Sequence, residues 1–327
     1  MLTRRLGREG PDVSVVGLGC NNLGMRVDLK GTRAVVDAAL EAGVTLFDTA
    51  DIYGGKGGSE SLLGEVLEGR RDRVVLATKF GGDMGDGTEA RGSRDYIHKA
   101  IDASLQRLRT DVVDLYQYHT PDHVTPFEET FGALDELVRT GKVRYVGHSN
   151  LNARQVEEVD AICRDRGFAR PVSAQNEYSL LRRQAEEELL PTCERLGIGV
   201  LPYFPLASGL LTGKYRRGEA RPEGTRLAGR NEVFTNETFD RLEALEEFAR
   251  ARGLTLLQVA IGGLLAQPAI ASVIAGATKP EQVHANVEAA QWEPTPKTWP
   301  RSTDSASGRA RSAADVVAPR PPWLEAE

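Results

Sequence analysis

The chain has 327 residues, 40% of them hydrophobic and 27% charged, with a net charge of -6. That composition belongs to a soluble globular protein with length enough for a large buried core, in one large domain or two ordinary ones. The negative balance and the lack of a basic stripe with interleaved aromatics exclude a nucleic-acid surface, and no apolar run reaches the roughly 18 residues of a membrane span.

Met1 to Arg5 carries charge with no apolar stretch behind it, so no signal peptide is expected. Cys20, Cys163 and Cys193 are far apart. They form neither a disulfide framework nor a metal-ligand pattern, and they fit a reducing cytoplasm. The five histidines are too scattered for a metal site.

The opening reads as a short hairpin leading into a first strand that ends at Gly19. From Thr32 to Ala42, Ala34, Val35, Ala38, Ala39 and Ala42 share one helical face, and Gly43 stops the helix. Val44 to Phe47 is a second strand, and Ser59 is expected to cap a helix carrying Leu62, Leu63, Val66 and Leu67. Val74 to Thr78 is a third strand ending at Lys79. The alternation continues with a helix near Ser93 to Leu108, then strand Val112 to Tyr118 ending at His119. Helix Phe127 to Val138 and strand Val143 to Val146 follow, then helix Ala153 to Cys163 and strand Val172 to Ala174. Helix Glu186 to Arg195 leads to strand Ile198 to Leu201 and a polar, Gly/Arg-rich loop from Ser208 to about Asn236. Helices Phe239 to Arg250 and Leu256 to Ala266, strand Ala271 to Ile274 and helix Pro280 to Ala290 complete the series.

Short apolar strands buried on both faces imply parallel pairing, and eight strand–helix units predict a (β/α)8 TIM barrel with an N-terminal β-hairpin cap over residues 1–296. The alternative, a doubly wound open sheet, is weaker because Gly17-Leu18-Gly19-Cys20-Asn21-Asn22 lacks the third glycine of a dinucleotide fingerprint. Gly54-Gly55-Lys56-Gly57-Gly58-Ser59 lacks the Walker spacing and reads as a flexible rim of a pocket.

In a parallel barrel every strand's carboxyl end faces one mouth. Asp48, Lys79 and His119 end three consecutive strands, and Tyr53 lies on the loop after the first of them. Their chemistry is coherent. A nearby ammonium lowers the pKa of a phenol, a carboxylate holds the ammonium charged, and an imidazole donates to a carbonyl oxygen while the phenol protonates it. Taken singly, each has a bland reading: a loop carboxylate, a surface phenol, a solvated lysine, a satisfied core histidine. Asp51 reads as a loop hydrogen-bonder, and His98, His123 and His284 as surface residues.

Phe47-Asp48-Thr49-Ala50-Asp51-Ile52-Tyr53-Gly54, Ala77-Thr78-Lys79-Phe80 and Asp114-Leu115-Tyr116-Gln117-Tyr118-His119 resemble motifs of the aldo-keto reductases. So do Gly147-His148-Ser149-Asn150, Gln175-Asn176-Glu177-Tyr178-Ser179, the run Pro205 to Tyr215, and Ile274-Ala275-Gly276-Ala277-Thr278-Lys279. The resemblance covers about residues 1 to 296 and implies a barrel that reduces aldehydes or ketones with NADPH, NADH being the alternative. It implies Tyr53 as acid, Lys79 and Asp48 as its tuning pair, and His119 as the orienting donor. It places Ser149, Asn150 and Gln175 on the nicotinamide carboxamide and Tyr203 on its ring. Pro205, Leu206, Ala207, Gly209 and Leu210 would lie along the pyrophosphate, with Gly19 and Asp48 also on the cofactor side. Gly276, Thr278, Lys279, Gln282 and Asn286 would hold the adenosine half, where a helix N-terminus offers N–H groups to phosphate.

The chain departs from the family pattern at three places. Gln282 stands where many relatives carry an arginine for the 2′-phosphate, His148 where an apolar residue is usual, and Phe204 where serine is common. The expected partner is a small-molecule carbonyl substrate, with no nucleic acid, no membrane and no visible protein-partner motif. One rival is a cofactor-sensing regulatory subunit resembling potassium-channel β subunits; another is an intact tetrad behind a pocket spoiled by an altered tail.

From Lys297 periodicity stops and Ser, Ala, Arg and Pro dominate, which reads as a disordered tail. A sharper hypothesis is a frameshift. Pro296 to Ser305 can be encoded so that the frame opening at the third base reads Glu-Asp-Leu-Ala-Glu-Ile-Asp-Arg-Leu, an amphipathic helix similar to the family's usual ending. The genomic DNA in both frames decides it.

Overall fold

The computed structural model describes residues 1–295. The tail from Lys297, with its predicted disorder and frameshift origin, lies outside the described residues, as does Pro296. An antiparallel hairpin, β1 (Thr3–Arg5) with β2 (Asp12–Ser14), precedes eight parallel strands. These are β3 (Val16–Gly19), β4 (Leu46–Asp48), β5 (Val75–Phe80), β6 (Val113–Tyr118), β7 (Val143–Ser149), β8 (Ser173–Gln175), β9 (Gly199–Val200) and β10 (Val273–Gly276). From β3 to β9 each pairs with the next, and β10 pairs with β3. The last seam is closed by the segment before β10: Val200 donates to Ala269 O and Ala271 donates to Val200 O. The eight strands therefore form the expected (β/α)8 barrel.

The helices are α1 (Leu29–Glu41), the short turn α2 (Tyr53–Lys56), α3 (Gly58–Val66), α4 (Arg94–Leu108), α5 (Phe127–Arg139) and α6 (Ala153–Arg166). They continue with α7 (Leu189–Leu196), α8 (Asn236–Arg250), α9 (Leu256–Leu265) and α10 (Pro280–Ala289). Their ends follow local chemistry. Asn152 with Gln155, and Thr255 with Gln258, form capping boxes on α6 and α9. Pro280 takes the first position of α10, where its missing N–H costs nothing. Ser59 does not cap α3 as expected. Its hydroxyl donates to Cys20 O and bonds Thr49 Oγ1, tying the helix to two strand ends.

Strand alternation sorts the side chains into two cores. Inside the barrel, Leu46, Ala77, Leu115, Val172, Leu201, Ala271 and Ile274 pack together, and Leu6 and Val13 of the hairpin close the amino-terminal end. Outside it, the other faces of the strands meet the helices in one continuous apolar layer. The hairpin closes one end, so the opposite end, where the strands finish, is the open one. Among the described residues no helix is long and apolar enough to cross a membrane.

Candidate active site

Asp48 is the last residue of β4, one position later than the strand's expected end, and Lys79 lies within β5. Both point inward; Lys79 is fully buried and Asp48 nearly so. Lys79 Nζ donates to Asp48 Oδ2 at 2.7 Å and to Thr49 O at 2.8 Å, and stands 3.5 Å from Tyr53 OH. It also lies 4.9 Å from the centroid of the Tyr53 ring. His119 follows β6 directly, and its ring meets Tyr53 edge-on at 5.8 Å. Asp48, Lys79, Tyr53 and His119 are thus brought together at one mouth.

Burial and charge oppose each other here. Burial lowers the Lys79 pKa, but the Asp48 charge and the hydrogen bonds outweigh it, so the ammonium is held above its ordinary value. Burial raises the Tyr53 pKa, against the pull of Lys79, and the net direction is up. The simple expectation of a phenol acidified by its ammonium neighbour is therefore corrected: desolvation wins, and Tyr53 is a protonated donor at neutral pH. His119 is pushed down to about 3, first by burial and then by the Lys79 charge, so its imidazole is neutral. Its Nδ1 is buried with no partner. A bare ring nitrogen is better tolerated there than an unmatched N–H, which favours the proton on Nε2.

The expected cofactor residues fall around the same mouth. Ser149 and Gln175 share a register position on β7 and β8, and Ser149 Oγ donates to Gln175 O at 2.7 Å. Gln175 Nε2 donates to Asp48 Oδ1 at 2.9 Å. Asn150 has a left-handed backbone (φ 61). Its Nδ2 donates to His119 O at 2.9 Å, and its Oδ1 accepts from Tyr203 OH at 2.9 Å. Gly19 and Gly276 are paired at the ends of β3 and β10, and a Cβ on Gly276 would come within 3.1 Å of Asn22. Two adjacent side-chain-free strand ends leave a shallow floor.

Beyond Tyr203, Phe204, Ala207 and Ser208 all have positive φ, as does Gly209. Three non-glycine residues in that region within five positions are costly, and such strain collects at functional sites. Pro205 and Leu210 are buried, whereas Leu206, Ala207 and Gly209 are partly open. Phe204 stands edge-on to Tyr203 at 5.3 Å, with the Arg226 guanidinium 4.9 Å from its ring. The loop after β9 is thereby pinned across the mouth, and Arg26 ties it from the other side by donating to Gly224 O at 2.7 Å. At α10, Lys279 is the exposed N-cap residue, Gln282 Oε1 accepts from Thr278 N at 2.7 Å, and Asn286 is buried.

Other expectations fare differently. Asp51 is a buried carboxylate rather than an open loop residue, with the Ile52 backbone N–H helping to hold its charge. Burial, then the charge of Glu60, raises its pKa to about 7. The Gly54–Gly57 rim is not formless. It makes one turn, with left-handed backbone at Gly54, Gly55, Lys56 and Gly57, that leads directly into α3. His148 is buried, and among the described residues neither of its ring nitrogens finds a hydrogen-bond partner. Sequence reasoning missed Gln117 and Ser173, inward-facing polar residues linked to Asp48. The available signal was their strand parity with Lys79 and Gln175.

A sequence profile of the Aldo/keto reductase family matches residues 15–305. The chain is 39% identical over 297 residues to the uncharacterized oxidoreductase YrpG of Bacillus subtilis, covering 88% of this chain and 90% of that one. It is 35% identical over 302 residues to a probable voltage-gated potassium channel subunit beta of Oryza sativa, covering 88% and 91%. It is 34% identical over 303 residues to the L-glyceraldehyde 3-phosphate reductase of Escherichia coli, covering 88% and 87%. The chain belongs to the aldo/keto reductase family.

Proposed function

We propose that this oxidoreductase reduces an aldehyde or ketone to an alcohol with NADPH, NADH being the alternative, and that residues 1–296 form the catalytic unit. The observation that carries the reading is the fully buried Lys79 ammonium, 2.7 Å from Asp48 Oδ2 and 3.5 Å from Tyr53 OH. A buried lysine needs a compensating anion, and one that also faces a phenol stabilises the negative charge left when the phenol gives up its proton.

The residues fit a nicotinamide dinucleotide. Gly19 and Gly276 bring no side chain of their own to the paired ends of β3 and β10, with Ile274 and Asn22 packed beside them. Ser149, Asn150 and Gln175 present amides and a hydroxyl suited to a carboxamide, with Tyr203 beside them. Pro205, Leu206, Ala207, Gly209 and Leu210 would follow the pyrophosphate. Gly276, Thr278, Lys279, Gln282 and Asn286 would hold the adenosine half at the α10 N-terminus. When bound, the reduced nicotinamide supplies the hydride. The chain's own groups do the rest. His119 Nε2–H donates to the carbonyl oxygen and orients it, and Tyr53 gives that oxygen its proton. Lys79 steadies the phenolate, and Asp48 keeps Lys79 charged and in place.

The test is NADPH oxidation at 340 nm over aldehydes, ketones and quinones, for wild type and Tyr53→Phe. Turnover lost in Tyr53→Phe with cofactor binding retained supports the reading; unchanged turnover sinks it. The relative named as a potassium channel subunit beta motivates a second reading, a cofactor-sensing subunit. Tight NADPH binding by the wild type with negligible turnover on every carbonyl would favour it. A cytoplasmic location accords with three buried free cysteines.

A further inference from the structure

The two oxygens of Asp48 are treated differently. Oδ2 takes the Lys79 ammonium, while Oδ1 accepts from Gln175 Nε2 at 2.9 Å and from Gln117 Nε2 at 3.3 Å. Gln117 is fully buried on β6 and two positions deeper than His119. Its Oε1 accepts from Ser173 Oγ at 3.1 Å, and Ser173 is also fully buried. The carboxylate can only accept, so the NH2 end of the Gln117 amide is the one turned to Asp48, and the Ser173 hydroxyl then donates to the oxygen left on the other side.

Gln117 and Ser173 are on β6 and β8, which are not neighbours. Between them runs β7, and the residue paired with both is Gly147. A Cβ on Gly147 would lie 2.0 Å from Ser173 Oγ and 3.1 Å from Gln117 Cγ. The missing side chain is what lets the two meet across the intervening strand. A primary amide in an interior otherwise lined by Leu46, Ala77, Leu115 and Leu201 is unfavourable unless its bonds are made, and here both ends are used.

We propose that Gln117, held by Ser173 through the gap at Gly147, is a positioning residue that keeps the Asp48 carboxylate aimed at Lys79. It has no surface for substrate or cofactor, so it acts only through Asp48. Gln175 is placed at the cofactor side of the mouth, whereas Gln117 is the donor that keeps Asp48 fixed from below. The proposal rests on the reading of Tyr53 as proton donor. The titratable groups facing Asp48 are Lys79 from β5, Tyr53 from the loop after β4, and Cys20 from the end of β3.

The experiment compares wild type, Gln117→Met, Ser173→Ala and Tyr53→Phe with 4-nitrobenzaldehyde and NADPH. Gln117→Met is expected to lower kcat by about tenfold, the scale of one hydrogen bond to a charge, while KM for the aldehyde stays within about twofold. The NADPH dissociation constant, read by fluorescence quenching, also stays within about twofold. Ser173→Ala lowers kcat by less, and it decides the question if Gln117→Met does not fold. A kcat equal to wild type in the folded variants, with Tyr53→Phe inactive, overturns the positioning role alone. Full turnover in Tyr53→Phe, or none in wild type, overturns the underlying reading and the proposal with it.

Discussion

Lys79 Nζ stands 2.7 Å from Asp48 Oδ2, with both side chains shut away from solvent. A buried pair is costly to make and costlier to break singly, because the survivor is left as an uncompensated charge. Lys79→Met is expected to destabilise the protein by about 3–5 kcal/mol. Adding Asp48→Asn should restore most of that stability but none of the turnover. Urea titration and NADPH oxidation on the single and double variants separate the two effects; equal stability of single and double would refute the coupling.

Gly54 and Gly55 adjoin Tyr53 and have nearly the same backbone, φ 70 and φ 75. A Cβ on Gly54 would meet Ser59 N at 2.4 Å and Leu23 O at 2.7 Å, whereas one on Gly55 meets nothing within 4 Å. Gly55→Ala should cost only the left-handed backbone, about 1–2 kcal/mol. Gly54→Ala must also displace main chain, so it should cost more and lower kcat by moving Tyr53. A thermal melt and a kcat measurement on each variant check the order.

Asp51 has a pKa of about 7, raised by burial and then by Glu60, with Arg107 and Lys79 opposing. The folded protein holds this proton while an unfolded Asp releases it near pH 4. The Asp51 contribution to stability is therefore complete below about pH 4 and is lost as pH rises toward 7. His119 and His148, both near 3, work in the opposite sense: folding excludes their protons, so stability falls as pH drops below about 6.5. Asp51→Asn isolates the first term. It should raise the melting temperature at pH 8 and leave it nearly unchanged at pH 4; an equal shift at both would rule out the ionisation as cause.

Tyr203 OH donates to Asn150 Oδ1 at 2.9 Å, and Asn150 Nδ2 holds His119 O at 2.9 Å. Tyr203→Phe keeps the aromatic face and removes the hydroxyl that bonds Asn150. A loss of about 0.5–1.5 kcal/mol corresponds to NADPH binding weaker by about two- to tenfold. Fluorescence quenching measures it; an unchanged constant would mean that Asn150 needs no help.

Much of this site was legible in the chain order. Asp48 ends its strand and Lys79 and His119 lie within one residue of theirs, and a closed parallel barrel must bring such strand ends to one face. The aromatic and glycine punctuation around Tyr53 carried the family resemblance. The Gln117 role was not legible, because a glutamine in a strand says nothing about its neighbours until the register puts Gly147 beside it. The surroundings of Asp51 were hidden for a similar reason. A loop carboxylate is ordinarily solvated, and only packing shows that this one is buried beside Glu60.

By itself, then, the sequence determined the alternation of strands and helices and the polar residue types near the strand ends, because these depend on periodicity and local chemistry. The tertiary structure decided the rest. It closed the barrel where Val200 meets Ala269 and Ala271, let desolvation outweigh Lys79 at the Tyr53 phenol, and joined Ser173 to Gln117 across a missing side chain. Each of these depends on distances between residues far apart in the chain, set by strand register and by the exclusion of water.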